Sequence, residues 1–455
     1  MPVDAFSVNS QPETIFGPSE PVLAELVVKS HVHLGRSWVF RFWDGITTFL
    51  SNLFGICSVI ICTAVAANIP VLQLVSFGYL LEVSGRIGRG GTWSDGLVGI
   101  SKASRIGSLI LGIWLLLIPI RFFTDAFWYE AYLIDSQSSQ TQLMRILQLL
   151  LIGLTVLHIV AACVCGGKLR YFFWPIIAPF SFGLWAIRKM LGTKFFRPVL
   201  STCLNWVSPS LTNDICNAAA PRDWFLPAIL WKKVRQGRLY QNVRDGLWQF
   251  FADLNLWHYF KLGFVGFIGT AIWLALPTIL LVAATRLQGV SAGVCGALGS
   301  LLAIPTFALL LFVQTHFASN GKLKNFFEVR QVISNIRRAP LAHVSALLLA
   351  LLLALPLFLL KIENIPVELF WTLSLMFVVF SWPSRIVVAL AYRRGTRKSE
   401  QGRWWVRYPE MTLALPVSAA FVLILFVSRY VSWHGAFSMI ENHVFLMPAP
   451  FWLGL

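Results

Sequence analysis

The run Gly85-Arg86-Ile87-Gly88-Arg89-Gly90-Gly91 comes nearest to a chemical site in this sequence. Its glycines leave backbone N–H groups open and its arginines add charge, a combination able to cradle a phosphate. It matches neither a Walker A motif nor a dinucleotide fingerprint, and no strand precedes it. It reads instead as a flexible helix exit whose arginines touch lipid headgroups. Seven cysteines occur without a CxxC pair, and Cys163-x-Cys165 sends its thiols to divergent helix faces, poor spacing for a metal. Cys57, Cys62 and Cys295 fall in apolar runs, where cysteine acts as a small hydrophobe. Asp214, Asp223, Asp245 and Asp253 form no DxD or DxxD pair, which argues against metal-dependent glycosyl or phosphoryl transfer. His158 lies well inside an apolar run and reads as bonded to a neighbouring helix, while His316 has no acid close by in sequence. Asn68, Gln73, Gln148 and Gln314 are the residue types that join helices in lipid. Arg121 and Arg385 read as lying near helix ends, where they can snorkel. Neither an enzyme nor a metal or cofactor site is expected.

The elements that carry these residues are apolar. Of 455 residues 57% are hydrophobic, and the mean hydropathy of +0.69 is more than a soluble fold could hide. The expected class is all-α, a polytopic transmembrane bundle of about nine crossings. The candidate spans are 46–68, 69–84, 106–124, 146–166, 261–284, 292–317, 341–360, 366–390 and 411–429. A tenth run, 171–187, is short, carries Pro175 and Pro179, and reads as re-entrant or interfacial. The formal charge of +17 then serves orientation rather than nucleic-acid binding. With nine crossings and a cytoplasmic N-terminus, 32 of the 37 Lys and Arg residues fall inside, and the C-terminus lies outside. The first 42 residues read as a polar cytoplasmic arm without a secretory signal, and the first apolar run as an uncleaved anchor.

Placing Ile69-Pro70 over Ile304-Pro305 suggests a parallel duplication, each copy closing with a proline, Pro119 or Pro356. The chain then divides into an arm (1–42), a first repeat (43–170), an insert with the short run (171–247), a second repeat (248–395), and a basic loop, final span and outer tail (396–455). In the second copy Leu323, Phe326, Phe327, Val329, Ile333 and Ile336 recur at near-helical spacing among Lys322, Lys324, Arg330, Arg337 and Arg338. That is the pattern of a helix lying in the headgroup plane against anionic lipid. Trp93, Leu97 and Ile100 repeat it more weakly in the first copy. Trp224, Trp231, Trp248 and Trp257 give the insert the character of an interfacial segment.

The second copy resembles a family of uncharacterised prokaryotic membrane proteins, classed as a domain of unknown function. The features shared are the proline-bent hairpin, the turn Ser319-Asn320-Gly321-Lys322, the basic aromatic stretch from Phe326-Phe327 to Arg337-Arg338, and the Leu/Ala-rich span after Pro340. In the first copy Ile69-Pro70 through Phe77-Gly78-Tyr79 looks like the same family's signature, and Phe317 stands near the corresponding place without the Gly-Tyr. These motifs are of low specificity and cover about two-thirds of the chain. The resemblance implies a membrane-embedded helical domain and assigns no activity or functional residue.

The expected function is a non-enzymatic organiser of lipid or partner proteins in a prokaryotic inner membrane. Arg86, Arg89, Lys322, Lys324, Arg330, Arg337 and Arg338 are its expected contacts with anionic headgroups, and protein partners or a homo-oligomer remain open. The alternative is a transporter or permease for an apolar, weakly polar or lipid substrate.

Overall fold

The computed structural model describes residues 38–133, 139–191, 225–237, 239–359, 370–400, 404–431, 435 and 438–447. Most of the expected N-terminal arm, Trp224 and the last eight residues lie outside the described set. The described residues are helical and include no strand. In chain order the helices are α1 (Trp38–Asn68), α2 (Leu72–Gly88), α3 (Ile100–Leu133), α4 (Ser139–Val164), α5 (Leu169–Phe172), α6 (Trp174–Leu191), α7 (Leu226–Arg235) and α8 (Leu239–Asp253). They continue as α9 (Leu256–Arg286), α10 (Gly289–Asn320), α11 (Val329–Arg338), α12 (Pro340–Leu359), α13 (Phe370–Arg397), α14 (Trp404–Thr412), α15 (Ala414–Val431) and α16 (Ser438–Glu441).

Eight helices among the described residues are long and apolar enough to cross a membrane, so the chain is an integral membrane protein. The expected crossing 69–84 is the exception. It forms α2, which has 17 residues and carries Glu82 and Arg86. Such a helix is too short and too charged to face lipid on its own. Leu80, Leu81, Val83, Ser84 and Ile87 are instead fully buried among neighbouring helices. The short run 171–187 becomes the single turn α5 and then α6, whose apolar part, Trp174–Ile187, has 14 residues. The paired prolines occupy different positions. Pro70 falls in the break between α1 and α2, whereas Pro305 lies inside the continuous helix α10, whose preceding turn is at Leu287-Gln288.

The chain divides into two compact units: residues 1–50 with 174–225, and 51–173 with 226–455. In the smaller unit the Phe225 ring meets Trp174 and Phe182 edge-on, at 5.5 and 6.0 Å between centroids. In the larger unit α2, α9, α10 and α13 surround a core extended by α12 and α15. The tightest crossing is between α2 and α9. A methyl added at Gly78 would overlap the carbonyl oxygen of Tyr259, and one at Gly263 would overlap that of Leu74. Two backbones meet here without side chains between them, the packing that membrane helices achieve with small residues. Gly266 and Gly269 continue the smooth face of α9, against Leu81 and against the ring of the buried Phe326.

The described part of the segment after α15 folds back onto the bundle. Met439, Phe445 and Leu446 are buried, and the segment is pinned to α9 through Thr278 Oγ1 and His443 Nε2, 2.7 Å apart. Its backbone turns in a 3-10 helix at Asn442–Phe445 and presents the Leu446 carbonyl to Gln314 of α10. The tail is thus part of the core, and the apolar side chains it brings explain why it stays there.

Candidate functional site

Three polar clusters lie in the larger unit, two where α2, α10 and α13 end and α9 begins, and one half-way along α13. The first is built on α2. Glu82, Arg86 and Arg89 are four and seven residues apart, hence on one helix face. Glu82 Oε1 accepts from Arg86 Nε (2.9 Å) and Arg89 Nη2 (3.0 Å), and Oε2 lies 3.3 Å from His258 Nε2 of α9. Arg89 Nη1 also donates to the Ala318 carbonyl at the end of α10 (3.0 Å). The side chains of Arg86 and Arg89 remain 47% and 45% exposed while Glu82 is buried. These two arginines therefore divide their charge between an internal carboxylate and their surroundings, rather than projecting freely.

The second cluster surrounds His316, which is buried. The acid absent from its sequence neighbourhood is Glu328, twelve residues on. The chain reverses at Gly321, a left-handed helix stop (φ +76°) that glycine adopts without strain, and returns through the 3-10 turn Leu323–Phe327. Glu328 Oε2 lies 3.0 Å from His316 Nε2 and accepts from Asn325 Nδ2 at 2.8 Å; His316 Nδ1 lies 2.7 Å from the Tyr392 hydroxyl of α13. An ionised carboxylate only accepts, so His316 Nε2 carries a proton and donates to Glu328. The hydrogen bonds from His316 and then Asn325 hold the Glu328 carboxyl below the usual carboxylate range. A carboxyl depressed in the folded state adds stability that is fully present above its unfolded value, about 4.3. That stability is lost as the pH falls through the lower folded value. The gap between the melting temperatures of the wild type and Glu328→Gln should therefore narrow as the pH is lowered below the unfolded value. A gap that stays constant through that acid range would remove this role from Glu328.

The expected basic helix is two pieces, the 3-10 turn Leu323–Phe327 and α11. Lys322, Lys324, Arg330 and Arg337 are exposed, and Arg338 is half-buried. The apolar face is corrected: Phe326 and Ile336 are buried, with Phe326 4.6 Å from the Phe317 ring, and only Leu323 and Phe327 are left clearly exposed. α11 is held to the bundle by the face that was expected to meet lipid. The free aromatic surface lies on α7, α8 and the start of α9 instead, where Trp231, Tyr240, Trp248 and Trp257 are 70–78% exposed. Lys232, Arg235 and Arg244 stand exposed on the same helices.

The third cluster was not visible in sequence. Arg385 does not snorkel from a helix end. It is 2% exposed near the middle of α13, because that helix continues to Arg397. Its Nη1 donates to Gln314 Oε1, and its Nη2 reaches the Leu446 carbonyl at 3.5 Å. Gln314 Nε2 in turn donates to Thr270 Oγ1 (2.7 Å) and to the same Leu446 carbonyl (2.8 Å). The Phe77 ring lies 5.6 Å from the guanidinium carbon. Gln314 is thus the joint expected of it, as are Gln148, which donates to Thr124 Oγ1 (2.9 Å), and Asn68, which accepts from Ser374 Oγ (2.6 Å). His158 Nε2 lies 2.9 Å from the backbone carbonyl of Tyr171.

One enzyme-like spacing does occur. Gly289-Val290-Ser291-Ala292-Gly293 has the pattern of a nucleophile elbow, which requires a strand before its serine and a helix after it. Here it opens α10 directly after helix α9, and Ser291 Oγ donates to the Gln288 carbonyl (2.9 Å). Comparison with protein-family models, curated proteins and solved structures gives no match.

Proposed function

We propose that this integral membrane protein is a non-enzymatic organiser that gathers anionic lipid, or partner proteins, on a basic aromatic face. We place it in the inner membrane of a prokaryotic cell, with its N-terminus and basic face cytoplasmic and its C-terminus outside. In this orientation the buried α2, running beside α13 from the Asn68–Ser374 contact to Gly88 next to Tyr392, crosses inside the bundle as a ninth span. The observation that carries the reading is the row of exposed Trp231, Tyr240, Trp248 and Trp257 beside Lys232, Arg235 and Arg244. Aromatic rings settle at the headgroup level, and cationic side chains beside them favour an anionic leaflet. Lys322, Lys324, Arg330 and Arg337 add charge without the same apolar anchor. Arg86 and Arg89 contribute what Glu82 leaves them.

Native mass spectrometry of the protein in mild detergent should find anionic phospholipid retained. Neutralising Arg86, Arg89, Lys322 and Lys324 together should weaken binding to anionic nanodiscs on the order of a hundredfold, since each free charge near the surface is worth about 1 kcal/mol and Glu82 takes up part of the charge of Arg86 and Arg89. Binding that is indifferent to these charges and to salt would remove the lipid-organising role. A reporter fused after residue 340 should behave as cytoplasmic; an external signal there would overturn the orientation.

A transporter or permease for an apolar, weakly polar or lipid substrate is the second reading. It is favoured by the polar groups gathered inside the bundle around Arg385, since ionisable residues within a membrane span usually mark a pathway or site. A single small molecule retained at fixed stoichiometry would favour it over the organiser.

A further inference from the structure

Arg385 is the only Lys or Arg buried in the bundle among the described residues, and no carboxylate of that set lies within ion-pair distance of it. Burying an uncompensated charge is costly, and a guanidinium offers five N–H donors in a planar fork. The acceptors that meet it are an amide oxygen and a backbone carbonyl, the latter at 3.5 Å. Around it other polar groups are also unanswered. The hydroxyl of Ser381, one turn away on the same face of α13, is buried without a hydrogen-bond partner. So is that of Ser76, next to the Phe77 whose ring covers Arg385. Buried polar groups in folded proteins are normally satisfied, so a cluster of unsatisfied ones around an unpaired cation marks a missing partner.

We propose that Arg385, Gln314 and the Ser381 hydroxyl form a binding site for the carboxylate of a small monoanionic ligand, closed by the C-terminal segment. The Leu446 carbonyl, on which the donors of Gln314 and Arg385 converge, occupies the place of one carboxylate oxygen. A carboxylate matches the guanidinium fork with two coplanar acceptors. Its single charge cancels that of Arg385, whereas a dianion would leave a buried negative charge without a partner. Admission of the ligand requires the segment to give way, and its further anchors include the Thr278–His443 hydrogen bond and that from Asn442 to Ser428 of α15. This site is independent of the basic aromatic face.

The test uses acetate as the probe and follows the melting temperature of the detergent-solubilised full-length protein, with chloride and phosphate at matched ionic strength as references. Acetate should give a saturable rise that the references do not. Arg385→Lys keeps the charge but loses the fork, and its acetate midpoint should rise about tenfold. Thr278→Val loosens the tail and should lower the midpoint several-fold. Three results would overturn the proposal: no saturable acetate effect in either the wild type or Thr278→Val, an effect unchanged in Arg385→Lys, or an equal or larger effect with phosphate. Should Arg385→Lys fail to fold, Ser381→Ala, which removes one hydroxyl donor, provides the same comparison, and an unchanged midpoint there counts against the site.

Discussion

Replacing Gly78 or Gly263 with alanine is expected to be among the most damaging single-methyl changes in the molecule. α2 and α9 cross with their backbones in contact, and each new methyl would overlap a carbonyl oxygen of the opposite helix. A flexible side chain could swing aside, but a helical backbone cannot, so the helices must part. Parting them separates Gly266 from Leu81 and pulls His258 away from Glu82. Overpacking costs roughly 1–3 kcal/mol where side chains can adjust, and a clash between two backbones should reach or exceed the upper end. Gly153 of α4 supplies the contrast, because nothing lies within reach of a methyl there. Gly153→Ala should be neutral or stabilising by about 0.5–1 kcal/mol through helix propensity alone. Thermal unfolding of the three variants in one detergent makes the comparison. A Gly78→Ala protein that melts with the wild type would mean the helices do not cross this closely.

Gln314→Leu should be comparably severe for a different reason. The Gln314 amide is the only link that touches Arg385, Thr270 and the Leu446 carbonyl together among the described residues. A leucine fills similar space and satisfies none of them, leaving a buried cation short of an acceptor. Removing a buried hydrogen bond to a charged group in this way costs about 1.5–3 kcal/mol, and more where the group is left unsatisfied. Gln314→Glu restores an acceptor, now charged, for Arg385 while losing the donations to Thr270 and Leu446. The expected order of stability is wild type, then Gln314→Glu, then Gln314→Leu. Hydrogen exchange at 438–447 should rise with Gln314→Leu, because the tail loses its shorter hydrogen bond to α10. Equal protection in variant and wild type would show that apolar burial alone holds the tail.

What the sequence revealed follows from the range of each signal. An apolar run of membrane length is local, so the long helices were legible, and the membrane class with them. α2 reads as apolar, but its shortness makes sense only with α9, α10 and α13 packed around it. The α2–α9 crossing does leave a trace in the sequence, the glycines at 263, 266 and 269 that smooth one face of α9. The His316–Glu328 pair also had a local clue in Asn320-Gly321, a dipeptide that favours chain reversal. Arg385 reads as terminal only while the span is taken to end at residue 390; the helix in fact continues to Arg397, which puts the arginine near its middle. The tail gave no warning. Its contacts with Gln314 and Thr278 span 132 and 165 residues, and no periodicity within a ten-residue segment can report partners so distant.

The burial of Arg385 bears on how the protein is made. A helix with arginine near its centre meets a penalty of about 2.5–3.5 kcal/mol on entering the bilayer through the insertion machinery. α13 must offset this with its apolar residues or with a partner already in place. Gln314 precedes Arg385 by 71 residues, so α10 and its amide are in the membrane before α13 arrives. The Leu446 carbonyl follows 61 residues later. Between those two events the arginine has Gln314 as its polar partner, and the order of synthesis itself chaperones the charge into the bundle.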